Sequence, residues 1–473
     1  MLTNLNNEKV TAQNFKNFDV AIVGAGAAGI TLTKELSSLG KSVALIEAGD
    51  YDYTDESQEV YIAKTKGDNY FDLDVARLRY FGGTTNHWVG WCRSFEEEDF
   101  KRGYLGEEYK WPITLKDINP FKEKACNILE IPVNFKDSTF KNSNIEKIDF
   151  HFSPPVRFRD KYYKDLINNP KVHVFLNANL TDVQHEKKYI SSVQLSSYNG
   201  IKAYVTANEY VFAMGGIENS RYLLWFYKKY KNNFISNDNS LGKYWMEHPH
   251  FTLGQAIIDK RKVSEKFYSL SAYAQKNMGI LNCGFRVLDL NDSALKGLLR
   301  EILCVAPKIG KSLANLAEKN LICGVKFRAA WEQAPHHENK IILDNEKDKF
   351  GIPKPILNWQ KKDIDRKTVM KSIEVFNQWL LEIDGGRIQL DDWLINEKDY
   401  PTNDELGGYH HMGGTRMHEN PKLGVVDKNC KVYGSENLYM AGSSIFTTGG
   451  HNNPTLPIVQ FALRLANHLA NKS

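Results

Sequence analysis

The stretch FDVAIVGAGAAGITLTKELSSLGKSVALIEAGD, residues 18–50, constrains the fold more than any other. Phe18 to Val23 is an unbroken apolar run of strand length, the pattern of a strand buried on both faces. Ala27, Ile30, Leu32, Leu36 and Leu39 recur at helical spacing over 27–39, and Ser42 to Ile46 is a second buried strand. Gly24, Gly26 and Gly29 occupy the turn between strand and helix with the spacing GxGxxG. The first glycine permits a tight turn, the second lets the backbone approach a pyrophosphate, and the third lets helix and strand pack closely. Ala27 and Ala28 continue the small-residue surface, and Glu47 and Ala48 end the second strand. A carboxylate there accepts hydrogen bonds from ribose hydroxyls, which suits FAD or NAD and disfavours the 2′-phosphate of NADP. A strand–helix–strand unit of this kind predicts an α/β chain built on a dinucleotide site.

Composition narrows the function classes. The 473 residues allow two or three domains' worth of core, and 61 basic against 57 acidic residues leave a net charge of +4. That balance gives no electrostatic case for nucleic acid. No apolar run reaches the length of a membrane span. The amino-terminal MLTNLNNEKVTAQNFKNF is polar and reads as no export signal. The six cysteines form no CxxC pair, so no metal site is expected, and scattered thiols suit a reducing cytoplasm. The amphipathic segment 293–321, SALKGLLREILCVAPKIGKSLANLAEKNL, reads as a helix pair covering a core in preference to a membrane-surface helix.

Three further segments carry short polar groups on glycine-rich turns: RYFGGTTNHWVGWCRSF (79–95), EYVFAMGGIENSRYLLW (209–225), and HHMGGTRM (410–417) followed by NLYMAGSSIFTTGGHNNPTLPIVQFALRLANHL (437–469). As an ordered set they resemble the glucose–methanol–choline (GMC) oxidoreductases, most closely the bacterial members and the pyranose oxidase branch. The resemblance implies FAD as cofactor. It places Gly82, Gly83, Thr84, Asn86, His87 and Trp88 along the isoalloxazine ring, with Gly215, Gly442 and Ser443 at strand ends near the cofactor and Gly442 and Ser443 at its pyrophosphate. KVHVFLNANLTDV (171–183) resembles the family's adenine-side strand, so Asn177 and Val183 are further cofactor candidates. In pyranose oxidase the histidine before the tryptophan of this loop is bonded to the flavin; His87 aligns with it, and a covalent link is admitted but not favoured.

Oxidising an alcohol removes a hydride from carbon and a proton from oxygen, and a base with pKa near neutrality suits the proton. Histidine's ordinary value of about 6.5 meets that need. The resemblance assigns this role to His410, with His411 selected only by a shifted alignment, and gives Asn453 the second position, hydrogen-bonding the substrate oxygen. Pro454 suits a first helical turn and Asn453 sits at or beside the N-cap. The apolar helix that follows, beginning Pro454–Thr455, directs its positive end at the flavin. His451 and Asn452 are expected to shape the pocket, His248 to be structural, and the strand pattern over 327–360 to line the pocket, with Trp331, Glu332, Gln333 and His336 as guesses for substrate contacts.

The expected fold is a Rossmann-type FAD-binding domain (1–105, 161–250, 405–473) interleaved with an α+β substrate domain on an antiparallel sheet (106–160, 251–404). The expected function is cytoplasmic oxidation of a CH–OH group in a sugar, sugar derivative or other polyol, with hydride passing to flavin N5. The electron acceptor is not specified by the sequence. The alternative is a lyase of the same fold, cleaving cyanohydrins with a redox-silent flavin.

Overall fold

The computed structural model describes residues 1–473 apart from 8–12, 142, 155, 232, 237, 260, 261, 265, 290–324, 397, 398, 403–407 and 473. The amphipathic segment 293–321, with Cys304 and Cys323, lies outside the described residues. Cys92, Cys126, Cys283 and Cys430 are buried free thiols.

An eight-stranded sheet forms around the amino-terminal unit. Leu2–Asn4, Val172–Leu176, Val43–Ile46, Gln13–Val23, Lys202–Phe212 and Leu438–Met440 run parallel. Tyr189–Ser196 and Asn179–Glu186 complete it antiparallel. The first strand starts at Gln13, earlier than the apolar run alone indicates, because its polar first half pairs in register with residues from Ala203 onward. Helix Ala27–Ser38 follows it as expected and packs against the last helix, Thr455–Ala470.

A second, seven-stranded sheet is antiparallel throughout, in the order Gly386–Leu390, His250–Ile258, Val325–Trp331, Cys283–Asp289, Phe267–Leu270, Ile145–Ile148, Ser138–Thr139. Strand alternation sends Phe327, Ala329 and Trp331 to one face, where they share a core with Val369, Ile373 and Phe376 of the long helix Asp363–Glu382. Residues of opposite parity face the parallel sheet's side of the molecule.

The pattern over 327–360 therefore does not make one pocket-lining sheet. Val325–Trp331 is a central strand of the seven-stranded sheet. Lys340–Lys347 and Pro353–Trp359 form a hairpin that adds Lys64–Gly67 as a third strand. The segment 106–160 is likewise divided. Trp111, Ile113, Ile118, Ala125 and Leu129 join the core of the parallel sheet, whereas Ile145 joins the antiparallel core. Among the described residues no helix is long and apolar enough to cross a membrane.

Candidate active site

A cavity of about 820 Å³ lies between the two sheets, within the range of small-molecule sites. Three parallel strands end side by side on it. The Ala213 N–H donates to the Val23 carbonyl at 2.8 Å and the Ala441 N–H to that of Phe212 at 2.9 Å. Each strand then turns on a glycine: Gly24, Gly215 and Gly442, at φ +106°, +87° and +97°. Ligands of parallel sheets bind at such carboxyl ends, where strand order lets the flanking turns part.

The glycines divide into two kinds. A Cβ on Gly24 would stand 2.5 Å from the Ala213 carbonyl oxygen, and one on Gly29 would stand 1.8 Å from that of Gly24, so these two serve packing. At Gly26, Gly215 and Gly442 a Cβ would meet no protein atom within 4 Å. All three line the cavity, so their bare backbone borders open space. Gly26 is also the N-cap of helix Ala27–Ser38 and carries no side-chain cap, leaving first-turn N–H groups directed at the cavity. Glu47 is buried and oriented there, its two oxygens accepting from the N–H groups of Ala25 and Gly49 at 2.9 Å each. These features fit a diphosphate next to a ribose. The donor set and open glycine cradle therefore suit FAD, the cofactor the sequence implies.

Most sequence-derived cofactor residues line this cavity: Gly24, Gly26, Ala27, Ala28, Glu47, Ala48, Gly83, Thr84, His87, Trp88, Gly215, Gly442, Ser443, Pro454 and Thr455. Five, Gly29, Gly82, Asn86, Asn177 and Val183, stand behind the wall. Gly29 packs on Gly24. Gly82 donates its N–H to the Ala25 carbonyl at 2.8 Å. Asn86 donates Nδ2–H to the Phe81 carbonyl at 2.9 Å, holding the loop in shape. Val183 is buried in the sheet opposite Val193, and Leu180 reaches the cavity instead, because register shifts on this strand change which positions face inward. Asn177 is tied to Asn4 and Asp50. His87 lines the cavity as an exposed ring stacked on Tyr409 at 6.3 Å.

On the same cavity wall, His410 and Asn453 meet. Asn453 Nδ2 lies 3.2 Å from His410 Nε2, and His410 Nδ1 lies 2.8 Å from His248 Nδ1. With the Asn453 amide as donor, His410 Nε2 accepts through its single lone pair and Nδ1–H donates to His248. The His410 backbone N–H is fixed by Glu247 Oε1 at 2.8 Å, and the same oxygen takes the His248 N–H at 2.9 Å. Tyr70 donates to Glu247 Oε2 at 2.6 Å and bonds His411 Nε2 at 3.0 Å. Burial, and then the neighbouring His248, His411 and His250 rings, push the His410 pKa well below the ordinary histidine value. Burial also lowers His248 to about 4 and, with Arg77, His411 to about 3. The cluster is thus neutral at neutral pH.

Pro454 is the N-cap of the last helix, with no side-chain cap. Asn453, which the sequence places at or beside this cap, turns its amide to His410 instead. Pro457 supplies no N–H, so Thr455 and Leu456 provide the first-turn donors. His451 lines the cavity with neither ring nitrogen partnered among the described residues.

The four guessed substrate contacts lie elsewhere. Trp331 stacks on Phe251 at 5.7 Å, Glu332 is buried beside Arg102 at 3.3 Å, and Gln333 accepts from Trp359 Nε1 at 2.7 Å. His336 lies outside the cavity wall, next to His337. Sequence reasoning missed a second tier. Glu218 bridges Arg77 at 2.7 Å and Arg221 at 2.8 Å; burial alone would raise its pKa, and the two guanidinium groups hold it near 2. The Glu–x–x–Arg spacing of 218 and 221 on one helix face was the available signal. His250, Phe267, Gly284, Arg286 and Ala330 from the antiparallel sheet complete the wall.

The family model described as GMC oxidoreductase matches residues 335–462. Over 96% of this chain and 95% of its own length, 2-methyl-1,2-propanediol dehydrogenase of Mycolicibacterium austroafricanum is 22% identical. The fructose dehydrogenase large subunit of Gluconobacter japonicus is 21% identical over 96% of this chain and 98% of its own. Among solved structures, pyridoxine 4-oxidase from Mesorbium loti superposes with a TM-score of 0.61 at 13% identity, covering 96% of this chain and 99% of that one. With the family segment matched and similarity to dehydrogenases running the length of the chain, this mixed α/β chain is similar to GMC oxidoreductases in sequence and fold.

Proposed function

We propose that the protein is an FAD-dependent oxidoreductase that oxidises a CH–OH group of a sugar, sugar derivative or other polyol, with His410 as the base. The observation that carries this reading is the pair His410–Asn453, 3.2 Å apart on the wall of a cavity that also presents Glu47 and three open glycines. The diol and fructose in the relatives' names are polyhydroxylated, which supports the substrate class. On this reading the parallel sheet is the FAD-binding domain and the antiparallel sheet faces the substrate, with 106–160 shared between them.

Gly24, Gly26, Ala27 and Ala28 would hold the diphosphate, Glu47 and Ala48 the ribose, and Gly83, Thr84 and Trp88 the ring system. Gly215, Gly442, Ser443, Pro454 and Thr455 would close round it. When bound, FAD supplies a two-electron acceptor for the hydride. The protein's own groups manage the proton. A substrate hydroxyl takes the place between His410 Nε2 and the Asn453 amide; the amide donates to the oxygen and fixes its lone pairs, and Nε2 accepts the proton. His410 is neutral beforehand because its burial disfavours the cation. Once protonated it donates from Nδ1 to His248, whose unprotonated ring is the nearest acceptor. The uncapped first turn of helix Thr455–Ala470 places partial positive charge beside the same site.

The test is anaerobic mixing of the holoenzyme with a panel of alcohols, diols and sugars. Loss of the oxidised-flavin absorbance with a polyol is the expected result. An unchanged spectrum across the panel, or equal bleaching by the His410→Ala variant, would remove the reading. Acid precipitation of the same preparation decides the state of His87: release of all the yellow colour excludes the covalent link.

A further inference from the structure

We propose that the hydroxyl compound accepted here carries an anionic oxygen group, a carboxylate or a phosphate monoester, and that Arg286 binds it. The inference rests on the reading of His410 as the base at this cavity.

Arg286 belongs to strand Cys283–Asp289, and its side chain lines the cavity. Gly284, one pleat earlier on the same face, has its backbone against the His451 ring: a Cβ there would stand 4.0 Å from His451 Cδ2. Arg286 therefore projects from the wall one side-chain repeat away from the His451–His410 end. Its guanidinium lies over the Trp91 ring at 4.6 Å and near Phe267 at 5.5 Å. Stacking of this kind holds the plane of the group and leaves its N–H edge for an acceptor. Among the described residues no side chain or carbonyl takes that edge, and no carboxylate pairs with it.

The surroundings make this placement costly without an anion. Arg328 stands directly opposite Arg286 on the neighbouring strand, and like charges in register repel. Burial and that repulsion together lower the Arg286 pKa. The other charged groups on the cavity wall are already matched. Arg77 pairs with Glu218, Arg79 donates to Tyr198 and Asn179, and Glu47 takes two backbone N–H groups. The histidine cluster is neutral. What remains is a fixed, half-buried cation on the substrate-facing sheet, planar and free to bind two oxygens at once, the geometry that carboxylate and phosphate share. A neutral sugar would leave it unpaired, whereas a hydroxy acid or a sugar phosphate would neutralise it.

Two measurements on the holoenzyme, wild type and Arg286→Met, test the proposal. The first follows anaerobic flavin bleaching by matched sets: D-glucose, D-gluconate and D-glucose 6-phosphate; glycerol, D-glycerate and glycerol 3-phosphate. The wild type is expected to favour an anionic member over its neutral counterpart by about 100-fold in kcat/KM, and Arg286→Met to lose that preference mainly through KM. Preference for the acids identifies a carboxylate substrate, and preference for the esters a phosphate one. The second measures binding of the non-reducing probes succinate, phosphonoacetate and neutral succinamide by perturbation of the flavin spectrum. Anion binding that weakens at least tenfold in Arg286→Met supports the site even if no alcohol bleaches the flavin, which would count against the oxidation reading alone. Equal response to neutral and anionic members, a preference unchanged in Arg286→Met, or no response in either assay would overturn the proposal.

Discussion

The two walls of the cavity recognise ligands by different means. The parallel-sheet wall is largely backbone, with the Glu47 carboxylate beside it: Gly26, Gly215 and Gly442 present bare peptide to open space, and the first turns of two helices present N–H groups. The opposite wall, from the antiparallel sheet, is side chain: His250, Phe267 and Arg286, with His410 and Asn453 at the junction. A backbone wall suits one invariant, highly charged ligand, because peptide dipoles cannot be exchanged by mutation. A side-chain wall can be rewritten residue by residue, so one scaffold can come to serve different ligands.

The comparison breaks most visibly at His410. His410→Ala is expected to slow flavin reduction by about 10³-fold, the ordinary contribution of a positioned base, while the protein keeps its flavin. Stopped-flow absorbance and flavin content together check this; a fall in flavin content would mean the two walls are not separable. Next in size is the glycine wall. Gly26→Val places a branch in open space, so the chain should fold with unchanged circular dichroism yet bind FAD on the order of 10²-fold more weakly, about 2.8 kcal/mol. Gly29→Val, at a site where even a Cβ meets the Gly24 carbonyl at 1.8 Å, should instead fail to fold. Equal behaviour of the two variants would contradict the division between packing and cradle glycines.

Asn453→Ala removes one hydrogen bond at the junction and should cost about tenfold in kcat/KM, close to 1.4 kcal/mol, with FAD retained. A separate effect is on stability. His248 and His411 titrate near 4 and 3 in the folded protein, and His410 and His451 also lie well below 6.5. The unfolded chain therefore binds more protons below pH 6.5, and stability is lost as pH falls from the ordinary histidine value toward 4 and 3. Thermal melts between pH 7 and 4 should show a falling Tm, and a less steep fall in His411→Gln, where one such group is removed.

Legibility from sequence followed the same division. The GxGxxG turn, its flanking strands and Glu47 could be placed directly, because backbone recognition demands glycines at fixed spacing and buried parallel strands demand apolar runs. That Leu180 and not Val183 lines the cavity was not legible, because register shifts within a strand leave no local mark. Trp331 packs in the antiparallel core and not on the cavity because strand alternation offers two faces, and only the docking of helix Asp363–Glu382 decides which one is core. His248, read as structural, is a direct partner of His410, a contact across 162 positions that spacing cannot reveal.

By itself the sequence determined the α/β platform and the glycine turn between its first strand and helix, since both rest on local chemistry that one short segment carries intact; the choice of His410 and Asn453 came from the resemblance of their segments to a family. Tertiary structure alone decided which face of the antiparallel sheet closes the cavity, which histidine backs His410, and that Arg286 faces the cavity opposite Arg328. Those outcomes depend on long-range strand order and helix docking, where the free energy of burying one face against another selects among arrangements that look equivalent along the chain.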